Sequence, residues 1–435
     1  MSLRTALVSR VAEVVTSRAR QQAARDRAER KRRRSGAPHR VDYFHEAGDP
    51  YSCLVAQTLP LLAARYDIDL RCHLVSAPQD WAAPEREKLN AWARRDAACL
   101  ARRAGLTFTD PGAQPSSARI AQAGAALAQA IASGSFVHDA AAIGSALWSN
   151  APLPEASGSD ADEDAAGLKA QSDALRSRLG HYLGGVLHYA GEWYWGLDRL
   201  HYLEERLAAL GARMAGAPTD PVYPQPVTPR PDAAPLAAGG ELHFYLSFRS
   251  PYTYIAAERA KALADAYGLS LRLRFVLPMV MRGLPVPPAK RTYITLDAAR
   301  EARRVGVPFG RVADPVGKPV ERGYSLLPWA IAQERGFDFC LAFMRGVWSQ
   351  GIDAGSDAGL RRIVEAAGLD WREARPRIGN QAWRKEAEAN RQELLGLGLW
   401  GVPCFRFGDI SAWGQDRLWV IEDAVRRQMT VTKGS

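Results

Sequence analysis

Apolar positions along this chain form short strand-like runs followed by longer stretches of helical period, and the same order of runs occurs twice. Val41 to Phe44 and Leu242 to Leu246 read as strands, each leading into a turn that opens an apolar-periodic helix. The turns are Asp49-Pro50-Tyr51-Ser52 and Ser250-Pro251-Tyr252-Thr253, 201 positions apart. A second strand follows each helix (Ile68 to Val75; Leu269 to Leu277), then a helical block, a short strand (Val402 to Phe407 in the second copy), a turn and a last helix. Strand, helix and strand in that order predict a parallel pair with a right-handed crossover. The offset holds along the run: Tyr66 answers Tyr267, Asp96-Ala97-Ala98 answers Asp297-Ala298-Ala299, and Ala101-Arg102-Arg103 answers Ala302-Arg303-Arg304. Trp148-Ser149 then answers Trp348-Ser349, and Trp195-Gly196-Leu197-Asp198-Arg199-Leu200 answers Trp413-Gly414-Gln415-Asp416-Arg417-Leu418. Chance does not keep such an order, so the pattern predicts one α/β domain in tandem duplicate.

Composition sets the boundaries. Residues 1–37 form a basic arm, 38–215 and 239–430 the two domains, and 216–238 a linker rich in proline, semi-rigid and extended. Within the first copy the polar stretch Pro152 to Gly167 is expected to be a disordered loop.

The net charge of +10 is concentrated at one end, because residues 1–40 hold twelve Lys/Arg against three acids. Such a mobile arm could bind a phosphate polymer or an anionic membrane, but solvated arms without a partner are commoner and nucleic acid is not expected. Leu7, Val11, Val14 and Val15 give its start a helical stripe, consistent equally with a helix docked on the protein and with a membrane anchor. Five cysteines with no C-x-x-C pair suit a reducing compartment. No apolar run approaches the roughly 18 residues of a membrane span, and residues 1–30 lack a secretory core, so a cytoplasmic protein is the default. The eight histidines show no ligand spacing, so no metal site is expected. Gly396-x-Gly398-x-x-Gly401 precedes a strand and reads as a turn, not a dinucleotide site.

Four elements in order carry a family resemblance. They are Phe244-Tyr245-x-x-Phe248-x-Ser250-Pro251-Tyr252, then Lys290-x-x-Tyr293-x-x-x-Asp297-x-x-Arg300, then Gly401-Val402-Pro403, then Trp413-Gly414-x-Asp416-Arg417. Together they resemble the DsbA-type thioredoxin fold of the 2-hydroxychromene-2-carboxylate isomerase and kappa-class glutathione transferase branch, with the first copy a worn version. The resemblance implies two thioredoxin-like domains, each with a helical insertion, and a second copy that binds glutathione. It implies that the Ser250 hydroxyl donates to the glutathione thiolate, and that Val402 before a cis Pro403 pairs with the cysteinyl backbone. Asp416, beside Arg417 at the opening of the last helix, would take the γ-glutamyl ammonium, and Lys290 would lie near glutathione or a substrate carboxylate. Where the family has an apolar residue before the serine this chain has Arg249, which could meet an anionic substrate or stand exposed.

Each of these residues also has a plain structural reading. Ser before Pro is an ordinary N-cap, Asp416 and Arg417 suit a charged first turn, and the Lys290 stripe suits a solvated or internally paired helix face. Aligning the Trp-Gly-x-Asp-Arg phrases sets Val186 opposite Pro403, and the shared offset sets Asp49 opposite Ser250, where a carboxylate would repel a thiolate. Cys404 is expected to be a buried small residue. The reading that results is a glutathione-dependent isomerase or transferase for a small unsaturated aromatic or keto acid. Its alternative is a catalytically silent tandem module with the domains as intramolecular partners, while disulfide exchange is nearly excluded by Ser250 and Thr253.

Overall fold

A computed structural model describes residues 3–155, 161–237, 239–284 and 286–433. The chain opens with helices α1 (Leu3–Thr16) and α2 (Arg18–Ser35), then β1 (Arg40–His45), α3 (Pro50–Arg65), β2 (Asp69–Leu74), α4 (Arg86–Ala104), α5 (Ser117–Ser133), α6 (Phe136–Trp148) and α7 (Ala161–Leu179). The hairpin β3 (Val186–Tyr189) and β4 (Glu192–Trp195) and helix α8 (Gly196–Ala209) close this half. The second half repeats the plan with β5 (Glu241–Leu246), α9 (Pro251–Tyr267), β6 (Ser270–Phe275) and α10 (Pro288–Arg304). Its insertion holds α11 (Lys318–Ala332), α12 (Gly336–Ser349), α13 (Asp357–Ala366), α14 (Trp371–Ala374) and α15 (Trp383–Gly396). The half ends with β7 (Cys404–Phe407), β8 (Ile410–Trp413) and α16 (Leu418–Lys433).

The expected α/β class with two sheets holds. The strand orders are β2-β1-β3-β4 and β6-β5-β7-β8, each with one parallel pair followed by two antiparallel ones. β1 and β5 are central and buried from their second residue onward, so they bury polar side chains among the apolar ones, Asp42 and His45 in β1 and His243 in β5. Side-chain pairs repeat as well as strands. Tyr51 Oη donates to Asp96 and Tyr252 Oη to Asp297, both at 2.8 Å. Phe108 packs on Trp148 at a ring separation of 5.3 Å, and Phe309 on Trp348 at 5.8 Å. Tyr66 Oη meets Glu204 at 3.5 Å and Tyr267 Oη meets Glu422 at 2.8 Å.

By its contacts the chain divides into two units: the described parts of Met1–Gln22, Pro226–Pro285 and Ile294–Ser435, and those of Ala23–Gln225 and Val286–Tyr293. The core of the first of these gathers Phe248, stacked on Phe343 at 4.1 Å, with Tyr324, Phe275 and Trp383. A Cβ at Gly323 would overlap the Phe343 and Phe248 rings, so only glycine lets α11 approach this cluster.

Three expectations change here. The basic segment is helical beyond the stripe expected at its start, and α2 is held by Arg25, which pairs in two-pronged fashion with Glu192 at 2.7 Å. Arg32 donates to Glu29 and to the Ala37 carbonyl, tying the helix end to the strand that follows. The stretch expected to be disordered contains the start of α7 from Ala161, since alanine and acidic residues suit a first turn; residues 156–160 lie outside the described residues. The proline-rich linker does not stand free. The Val222 N–H donates to Glu204 at 2.9 Å and the Arg230 N–H to Glu422 at 2.7 Å, so each buried glutamate accepts from linker backbone. Among the described residues no helix is long and apolar enough to cross a membrane.

Candidate active site

Ser250 caps α9 in extended backbone (φ −94°, ψ 114°), with Pro251 filling the first helical turn, where its missing N–H costs nothing. The Ser250 Oγ accepts from the Thr253 N–H at 3.2 Å and donates to the Val402 carbonyl at 3.3 Å. That second bond brings the turn before β7 to the helix N-terminus. The Val402–Pro403 peptide is cis, and the Pro403 carbonyl accepts from the Gly414 N–H at 2.9 Å. Val402 lies ahead of the ladder, which pairs Tyr245 with Cys404, Phe244 with Phe405 and His243 with Arg406. Gly401 is glycine because a Cβ there would overlap the Trp413 ring, itself packed edge-on against Trp400 at 5.0 Å.

Asp416 and Arg417 lie in a 3-10 turn, Gln415–Arg417, just ahead of α16. Arg259 of α9 bonds Gln415, whose Nε2 donates to the fully buried Glu301 at 2.8 Å and also contacts Asp416. The helix that carries Ser250 is thereby tied to the turn that carries Asp416. Arg417 is buried, with Nη1 at 3.5 Å from the Asp416 carbonyl.

Lys290 belongs by its contacts with the unit of β1 to β4, where its Nζ donates to the Ala82 carbonyl at 3.1 Å and burial lowers its pKa. Asp297 and Arg300, on the same helix, are buried and paired at 2.5 Å, so the stripe is an internal ion pair and not a solvated face. Arg249 is neither exposed nor poised for an anion, since Asp314 grips its guanidinium with two bonds of 2.8 Å. Cys404 is fully buried, donates to the Gly401 carbonyl at 3.1 Å, and burial pushes its thiol well above the usual range.

The matching place in the other unit is built differently. Asp49 caps α3, accepting from the Tyr51 N–H at 3.2 Å, the Ser52 N–H at 2.8 Å and the Ser52 hydroxyl at 2.7 Å. The strand register corrects the alignment by one residue. Phe44 pairs with Val186, as Tyr245 does with Cys404, so Gly185 and not Val186 stands opposite Pro403. Gly185 has φ +62°, and a Cβ there would come within 3.1 Å of both Asp49 Oδ2 and the Ser52 nitrogen, so the chain closes directly on the cap. Burial raises the Asp49 pKa; burial first and the Asp49 charge second push Glu46 up to about 8. Cys53 is buried, its thiol pushed up to about 12 chiefly by burial.

Sequence reasoning missed Tyr252, Gln415 and Glu301 as the residues that fix this site. The signal for the first was available, since Tyr51/Tyr252 and Asp96/Asp297 recur at one offset. Nothing local could have paired Gln415 with a glutamate 114 positions away.

Residues 241–426 match the family model described as DSBA-like thioredoxin domain. The same half is similar to the curated 2-hydroxychromene-2-carboxylate isomerase of Pseudomonas putida, 26% identical over 192 residues, covering 42% of this chain and 93% of the relative. That of Pseudomonas sp. (strain C18) is 26% identical over 190 residues, with 42% and 88% covered. A solved 2-hydroxychromene-2-carboxylate isomerase is 23% identical and covers 45% of this chain and 98% of its own, with a TM-score of 0.40.

Proposed function

We propose that the DSBA-like domain is a glutathione-dependent isomerase or transferase acting on a small unsaturated aromatic or keto acid. The observation that carries this reading is the Ser250 hydroxyl, which caps α9 where neither a thiol nor a carboxylate stands, and which has a donor proton resting on the Val402 carbonyl. A site for a thiolate needs donors and no competing anion. The bond to Val402 is long at 3.3 Å and is readily exchanged for a better acceptor. The α9 N-terminus adds the positive end of a helix dipole, Asp314 is neutralised by Arg249, and the fully buried Thr253 hydroxyl has no hydrogen-bond partner among the described residues. These residues fit glutathione. Ser250 would hold its sulfur, Val402 its peptide backbone and Asp416 its ammonium, with Arg417 supporting the Asp416 turn. When bound, it supplies a thiolate able to add reversibly to an electron-poor double bond. The named isomerase relatives support this reading, and the five unpaired cysteines support a reducing, cytoplasmic setting.

The other half is read as the second member of an internal duplication that has lost the site. Its cap is a carboxylate and Gly185 closes the backbone over it, so it serves as a structural partner domain. A fully silent tandem module is the rival reading, favoured by the cap bond that already engages the Ser250 hydroxyl.

Ultraviolet titration of the glutathione complex separates the two. Removing one charge-assisted hydrogen bond costs about 1.5 to 3 kcal/mol, so Ser250→Ala should raise the thiol pKa of bound glutathione by about one to two units. Ser250→Asp should stay folded, as Asp49 does at the matching cap, and bind glutathione far more weakly. A folded wild-type protein that binds no glutathione at millimolar concentration would leave the silent module standing.

A further inference from the structure

Helix α1 is docked the wrong way round for an ordinary amphipathic helix. The face it turns to its own unit is small and polar: Ser9 is 2% exposed and Thr16 6%. A Cβ at Gly351 would clash with the Ser9 hydroxyl, and one at Gly310 would lie 2.9 Å from Thr16 Oγ1, so both glycines are what let the helix settle. Arg303 donates to the Thr16 carbonyl at 2.9 Å, satisfying the C-terminal end where a cation is favoured, and Arg311 pairs with Glu13 at 3.5 Å. The opposite face carries the apolar stripe. Leu7 is 65% exposed, Val8 52%, Val11 54% and Val14 56%. At about 100° per residue their mean direction lies roughly opposite the Ser9 and Thr16 positions. Docking on the protein and presenting an apolar surface, two alternatives for this segment at the level of sequence, are here properties of two faces of one helix.

Arg10 in α1 and Arg18 at the start of α2 are exposed, and no ion pair holds them among the described residues. The one acid of α1, Glu13, is paired with Arg311. We propose that this face lies on an anionic lipid surface, with Leu7, Val11 and Val14 entering the headgroup boundary and Arg10 and Arg18 meeting lipid phosphates. The charge favours such a surface over a second copy, since a two-fold contact through this stripe would bring like arginines together. The apolar stripe favours lipid over nucleic acid, which would leave four large side chains in water. No helix among the described residues crosses a membrane, so the association is peripheral.

Vesicle co-sedimentation of the full chain tests this, with phosphatidylcholine alone and with an equimolar phosphatidylcholine and phosphatidylglycerol mixture. The wild type should bind the mixed vesicles and not the neutral ones, and binding should fall with salt. Arg10→Gln and Arg18→Gln should each weaken partitioning roughly fivefold. Val11→Asp should weaken it by roughly tenfold or more while the thermal melt is unchanged; Leu7→Asp serves the same purpose should Val11→Asp disturb the fold. Equal binding to both vesicles, or full retention by folded Val11→Asp and Leu7→Asp, overturns the proposal. So does a wild type that ignores vesicles but self-associates through a contact that Val11→Asp abolishes, which would assign the face to a second copy.

Discussion

Ser250 and Asp49 hold equivalent caps, and the difference between a hydroxyl and a carboxylate there decides what each turn can receive. A hydroxyl both accepts from the helix and donates outward; a carboxylate only accepts, and Asp49 spends itself on three donors of its own turn. The cap was legible in sequence because it depends on residues within three positions. Lys290 and Arg249 were not, because their partners Ala82 and Asp314 lie 208 and 65 positions away. Gly401 shows how a motif residue can be structural. A Cβ there overlaps Trp413, in a turn tied to β8 through the Pro403 carbonyl, so the ring cannot retreat without moving the hairpin. Gly401→Ala should therefore cost about 1 to 3 kcal/mol. Gly396→Ala, at the end of α15 where nothing lies within 4 Å, should be neutral or mildly stabilising. Thermal melts of both variants check this, and equal behaviour would mean the Trp413 packing is loose.

At the scale of elements, strands and capped helices followed from period and turn chemistry, whereas α2 and the start of α7 did not. Both are highly charged, with no buried apolar stripe to betray them: no residue of α2 is buried. Its docking depends on specific polar pairs, and periodicity cannot report those. The Arg25 to Glu192 contact is the best formed of them, with two bonds of 2.7 Å and side chains 28% and 16% exposed. Solvent screening limits an exposed pair to about 0.2 to 1 kcal/mol, and the two-pronged geometry places this one toward the upper end. A double-mutant cycle over Arg25→Ala and Glu192→Ala should return a coupling of about 1 kcal/mol. Hydrogen exchange in α2 should rise in either single variant. Zero coupling with unchanged exchange would show that α2 is held by other contacts.

For the whole molecule, the repeated order of motifs made two equivalent sheets legible, because a constant offset survives wherever no insertion intervenes. What it could not show was which segments belong together: α1 goes with the second sheet and residues 286–293 with the first. Nor could it show that the unit of β1 to β4 carries ionisable groups with displaced pKa values at and beside its turn, which should govern stability against pH. Burial, with Asp49 second, lifts Glu46 to about 8, and burial depresses His45 to about 3 and His188 to about 4. A carboxyl raised in the folded state holds its proton there, so its contribution is full below the unfolded value of about 4.5 and is lost as pH climbs through about 8. A depressed histidine acts oppositely: folding disfavours its charged form, so stability rises with pH up to about 6.5 and then levels. Between pH 4.5 and 6.5 these effects oppose each other; above 6.5 the Glu46 slope stands alone among the three. At no more than about 1.4 kcal/mol per pH unit for one proton, stability should fall by roughly 1 to 2 kcal/mol between pH 6.5 and 8. Denaturant midpoints of the full chain across that range would show the decline, and Glu46→Gln, which cannot ionise, should flatten it. A wild-type curve already flat over the same range would mean that Glu46 is charged in the folded protein at neutral pH.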